Sequence, residues 1–154
     1  MVDSPTVLIA ESRFYEDIAD ELVKGATAVL DKAGIAYVRH AVPGVYEVPA
    51  TIRFAIRSME VGSAPVRYSG FVALGCVIRG ETDHYEHICR EASRALMDLA
   101  ITYSIALGFG ILTCATYEQA WARASIDDRD KGGDAARACV RMMEVKKALR
   151  LVMR

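Results

Sequence analysis

Two rhythms of apolar residues alternate along the chain. Short apolar runs at residues 6–10, 37–42, 70–74 and 109–114 have strand length. Between them the apolar positions recur at helical spacing. Over residues 16–33, Ile18, Leu22, Ala26, Val29 and Leu30 share one face, and Gly34 takes the place of a C′ stop. Residues 47–59 read as a second helix, with Pro49 tolerated in its first turn. Residues 86–103 carry Ile88, Ala92, Leu96, Leu99 and Tyr103 on one stripe. Asp83 followed by Glu86 has the form of a capping box and predicts His84 in the first helical turn. Thr116-x-x-Gln119 predicts another cap, opening a short helix to Ala124. Residues 125–131 form a charged loop, and 132–151 a closing helix. This β-α-β-α-β-α-β-α-α series predicts an α/β domain with a four-stranded parallel sheet and helices on both faces.

Length and composition narrow the function classes. At 154 residues the chain is read as one domain, 1–154, burying roughly two thirds of its unfolded surface. A net charge of −1 gives no reason to expect nucleic acid or an anionic membrane as partner. No apolar stretch approaches the ~20 residues of a membrane span, and residues 1–6 are not a signal peptide. Cys76, Cys89, Cys114 and Cys139 form no CxxC pair. Reduced thiols in a cytoplasmic protein, with no metal, are the simplest account. An apolar content of 53% is high for a lone small domain and points to buried subunit contacts.

In open parallel sheets, ligands bind beyond the carboxyl ends of the strands. Those ends carry Ser12-Arg-Phe-Tyr15, Pro43-Gly-Val-Tyr-Glu47, Arg79 to His84, and Cys114 to Thr116, with Arg123 and Lys131 following. Each has a bland reading beside the chemical one. Phe14 reads equally as a helix-entry staple or as a stacking ring. Glu47 reads as a helix-dipole partner or a ligand, His84 as a first-turn residue or a proton carrier, and Arg123 as a solvated charge or an anion holder. His40, His87 and Trp121 are assigned no role, and Arg141, Lys146, Lys147 and Arg150 read as a solvated helix face. Taken together, an aromatic ring, a carboxylate, a histidine and glycine-rich amides suit a flat polar heterocycle bearing hydroxyls, plus a small phosphate ester. No P-loop, GxSxG, HExxH or GxGxxG occurs, and Glu11 alone does not make a phosphate receiver's acidic pair.

Six segments in this order resemble the 6,7-dimethyl-8-ribityllumazine synthase family. They are Arg13-Phe14, Val42-Pro-Gly-x-x-Glu47-x-Pro49, Gly75-x-Val-Ile-Arg-Gly-x-Thr-x-His84-Tyr85, Phe109-Gly-Ile-Leu-Thr113, Glu118-Gln-Ala-x-x-Arg123 and Lys131-Gly132. The resemblance implies a three-layer, flavodoxin-like sandwich with strand order 2-1-3-4. It implies a transferase that condenses 5-amino-6-ribitylaminouracil with 3,4-dihydroxy-2-butanone 4-phosphate, without a cofactor, in the penultimate step of riboflavin synthesis. Phe14 then corresponds to the ring stacked on the pyrimidine. Val45, Tyr46 and Glu47 match the ribityl-holding segment, and Cys76, Val77 and Ile78 the strand end facing the pyrimidine. Phe109 matches a residue supplied by the neighbouring subunit. Glu81, Thr82 and Arg123 match phosphate-side positions, Lys131 a substrate-binding position, and His84 the proton-transfer residue. The resemblance also implies a homo-oligomer and admits a riboflavin synthase partner.

The chain departs from that pattern in places. Tyr15 stands where asparagine is common, Glu81 sets a carboxylate beside the expected phosphate so that only its N–H is taken to contribute, and Asp130 replaces an asparagine. Residues 125–130 lack the Gly-x-Lys-x-Gly pattern of shell-forming relatives, which favours a pentamer or a dimer of pentamers. Two other classes remain on the table. A non-catalytic lumazine or flavin binder sits poorly with an intact His84 and Arg123, and a signalling or scaffold domain leaves the loop residues unexplained.

Overall fold

The computed structural model describes residues 4–80 and 84–151. The candidates Glu81 and Thr82, and the capping residue Asp83, lie outside them. Four strands, β1 (Thr6–Ser12), β2 (Ala36–Val42), β3 (Gly70–Ile78) and β4 (Leu107–Cys114), form one parallel sheet in the order β2-β1-β3-β4. The helices are α1 (Glu16–Lys32), α2 (Val48–Glu60), α3 (Tyr85–Tyr103), α4 (Tyr117–Ala124) and α5 (Lys131–Ala148). The fold class expected from the sequence is the one observed.

Alternation explains the layers. On β1, Val7 and Ile9 face α1 and α5, meeting Ile18, Leu22, Ala26, Ala135 and Cys139. Leu8 and Ala10 face the other way, toward Val48 and Ile52 of α2 and Leu96 of α3. All nine residues of β3 are buried, as a central strand covered on both faces requires. Among the described residues no helix is long and apolar enough to cross a membrane.

Boundaries differ from expectation in three informative places. β3 runs through Gly75 to Ile78, because Gly75 is a contact glycine and not a turn. A Cβ there would stand 2.7 Å from Val45 Cγ2 and 3.0 Å from Ser12 Cβ. A single 3-10 turn, Val45–Glu47, precedes α2, so Glu47 caps the helix and does not begin it. His84 is likewise the N-cap of α3 (φ −111°, ψ 20°) and not a first-turn residue. Its carbonyl accepts the first intrahelical bond, from the Ile88 amide at 2.8 Å.

Candidate active site

Two clefts hold most of the sequence candidates, and they share no lining residue. The first, of about 330 Å³, opens at the carboxyl ends of β1, β2 and β3. Phe14 stands 65% exposed on its rim. Tyr15 braces it edge-on, with ring centroids 4.9 Å apart and planes at 75°. Tyr15 also packs against the α1-side core, which gives a physical role to the residue replacing asparagine. The opposite wall is Pro43, Gly44 and the 3-10 turn. Val45 is buried and sits on Gly75, so the missing side chain at 75 seats the turn against the sheet. Tyr46 is exposed and stacks on His87 of α3 (centroids 6.3 Å apart, planes at 19°).

The exposed Glu47 has no ion-pair partner among the described residues, which leaves its carboxylate available to accept hydrogen bonds from hydroxyls. Cys76 and Val77 form the floor with Ile88. Burial pushes the Cys76 thiol up to about 12, with Cys114 adding to the shift, so it is a neutral wall and no nucleophile. Ile78 points into the α1-side core, and its strand end is tied to β4 by the Arg79 amide, which donates to Cys114 O at 2.8 Å.

The second cleft, about 580 Å³, lies along β4 and is built from charge. Phe109, 48% exposed, and Thr113 line it from the strand, Arg123 from α4, Arg129 from the α4–α5 loop, and Lys131 and Asp134 from α5. Thr116 caps α4 by accepting the Gln119 amide at 3.2 Å, while Gln119 Oε1 accepts the Ala115 N–H at 2.9 Å. The expected cap is therefore present, and it presents Arg123 four residues further on.

The Arg123 guanidinium donates to Thr113 O at 3.1 Å and to Cys114 Sγ at 3.3 Å, with no carboxylate partner among the described residues. Lys131 lies 3.6 Å from Asp134, whose carboxyl is held below its ordinary range chiefly by Arg137 at 2.7 Å. Lys131 is fixed by a backbone device. Asp130 adopts a left-handed conformation (φ 46°) and caps α5 by accepting the Gly133 N–H at 3.2 Å. A side chain at Gly132 would overlap the Leu22 carbonyl, so the helix start sits directly on α1.

Of the remaining candidates, His84 is exposed at the amino end of α3, one helical turn before Ile88 of the first cleft. Arg129 was hidden from sequence reading inside a charged loop. Its spacing of two from Lys131 was the one available signal. Tyr15 and Ile88 were also missed as cleft walls. Among the described residues no group of metal-ligating side chains is placed to hold an ion.

The arrangement offers an aromatic slot with hydroxyl acceptors on one side, and an anion cradle with an exposed ring on the other. Residues 4–147 match the family described as 6,7-dimethyl-8-ribityllumazine synthase. Proteins of that name are similar over nearly their whole length. One from Paramagnetospirillum magneticum is 50% identical over 145 residues, covering 94% of this chain and 97% of the relative. One from Agrobacterium fabrum is 50% identical over 148 residues, 96% of this chain and 99% of the relative. A third, numbered 1 in Rhizobium meliloti, is 52% identical over 143 residues, 93% and 92%.

Proposed function

Because this chain belongs to the 6,7-dimethyl-8-ribityllumazine synthase family, we propose that it joins 5-amino-6-ribitylaminouracil to 3,4-dihydroxy-2-butanone 4-phosphate. The products are 6,7-dimethyl-8-ribityllumazine, phosphate and water. The primary amine of the pyrimidine attacks the ketone and water leaves as the imine forms. Phosphate is then eliminated, and ring closure by the ribitylamino nitrogen expels the second water. No step needs an external oxidant or reductant, so acid–base groups and an anion holder suffice.

The first cleft takes the pyrimidine. Phe14 stacks on the ring, the Cys76–Val77 strand end meets its edge, and Val45, Tyr46 and Glu47 hold the ribityl hydroxyls. Arg123 and Lys131 hold the phosphate, with the guanidinium binding bidentately. Arg129 adds positive charge at the same place. His84, exposed at the amino end of α3, moves the protons. Glu81 and Thr82 serve the phosphate side by resemblance.

The single observation that carries the reading is the split between the two clefts. Each is half of the site this reaction needs, so a working site takes the first cleft of one copy and the β4 cleft of its neighbour. A ring of copies supplies such head-to-tail contacts. Exposed Phe54 on α2 and Met97 and Ile101 on α3 give it an apolar surface to bury. The assembly is a homopentamer or a dimer of pentamers in the cytoplasm, with riboflavin synthase as a partner acting on the product. Incubating the protein with both substrates and following lumazine absorbance tests the reading; no absorbance change at saturating substrates overturns it.

A further inference from the structure

One buried charge serves none of these roles. Glu11, next to last in β1, is 1% exposed, and its carboxylate accepts hydrogen bonds from two guanidiniums. Arg39 of β2 donates from Nε at 2.8 Å and from its terminal nitrogen at 3.1 Å, and Arg13 donates at 2.9 Å. Arg13 extends the network to α1, where it pairs with Glu16 at 2.7 Å and with Asp20. Burial alone would lower the Arg13 guanidinium, but the hydrogen bonds it donates to Asp20, Glu16 and Glu11 raise it above its ordinary value. The Arg13 backbone N–H also donates to Val42 O at 2.9 Å, tying the exit of β1 to the exit of β2.

A buried carboxylate is unfavourable unless it is paired, and Val7 and Ile9 show that this face of β1 otherwise takes apolar residues. The network's position explains the exception. Phe14 follows Arg13 directly, and Pro43, Gly44 and Val45 follow Val42 directly. These are the two facing walls of the apolar cleft. We propose that Glu11 is a positioning residue for the reaction: through Arg13 and Arg39 it sets the spacing between the Phe14 platform and the Pro43–Val45 wall, and so the width of the slot for the flat ring. Glu11 touches neither ring nor substrate. The inference rests on the reading of this cleft given under Proposed function.

The test is titration of the full-length assembled protein with 5-amino-6-ribitylaminouracil, together with steady-state kinetics. Glu11→Gln keeps the shape and removes the charge that both guanidiniums share. Its pyrimidine Kd and KM are expected to rise about tenfold, as a slot displaced by a fraction of an ångström would give, with the butanone phosphate KM within about twofold. Arg39→Met acts at a side chain that is 46% exposed and leaves the Glu11–Arg13 pair intact. It should fold regardless and raise the pyrimidine constants about threefold. Unchanged pyrimidine affinity in both variants overturns the inference, as does a matched rise in both KM values or a lowered melting temperature with neither KM moved. If Glu11→Gln does not fold, Arg39→Met decides alone, and wild-type pyrimidine affinity there overturns it. A wild-type protein that does not bind the pyrimidine overturns the functional reading itself, before any variant is made.

Discussion

The two clefts are built by opposite means. The apolar cleft is shaped by packing: Val45 seated on Gly75, Tyr15 braced against Phe14, and a neutral thiol as floor. The β4 cleft is defined by three cations, of which Arg123 is steadied, among the described residues, by a carbonyl and a sulfur. In the proposed reading, one half selects a flat ring by fit, and the other an anion by field. Fit tolerates salt but not a moved wall, whereas field tolerates displacement but not screening.

The largest effect is expected from separating the halves. Glu47→Ala and Arg123→Ala proteins should each be nearly inactive, yet co-expressed chains should recover about a quarter of wild-type turnover, the chance that a first cleft with an intact Glu47 meets a neighbour with an intact Arg123. No recovery in the mixed assembly would mean that both clefts of one chain serve one site. Next, Arg123→Ala alone should weaken the butanone phosphate by about 2–4 kcal/mol and leave pyrimidine affinity nearly untouched. Equal losses for both substrates in titration would break the division of labour.

His84→Ala, at the amino end of α3, should slow turnover ~10²-fold without unfolding, the lower end for a general acid–base group. Circular dichroism with saturating kinetics checks both parts. Raising salt from about 0.05 to 0.5 M shortens the screening length severalfold and should raise the butanone phosphate KM a few-fold, with less slope in Arg129→Gln. The pyrimidine KM should stay flat. The smallest effect is almost none. With its thiol near 12, Cys76 carries little thiolate at pH 8, so iodoacetamide should leave activity intact until the pH is raised well above 9. Rapid inactivation at pH 8 would mean that the cleft floor is open to water.

Strands and helix phases were legible because apolar runs of strand length and period-3.6 burial are local properties, whereas the sheet order followed only from the family resemblance. The end of β3 was not. A strand buried on both faces has no alternation to lose, and Gly75 looks like a turn until Val45 is seen above it. The residues that line the apolar cleft were legible because they sit at strand ends, where topology gathers them. Arg129 was not, since its approach to Arg123 depends on how α5 docks through Gly132 on α1, a contact more than a hundred residues apart in the chain. The split into two clefts was equally hidden: the second opens along the side of β4 and not at its end.

Among the described residues, β4 has a hydrogen-bonded neighbour on one side only, β3. The open side is the one beside which Phe109 and the cations are displayed, and in the assembly proposed above a second copy comes to meet it. A freshly made chain has no such copy at hand. It then presents an uncovered strand edge with an exposed aromatic ring, the kind of surface that recruits other strands without discrimination. Supply therefore becomes a design constraint on this protein: made too slowly, a chain waits with that edge bare, and made too fast, edges find one another before they find their proper seats.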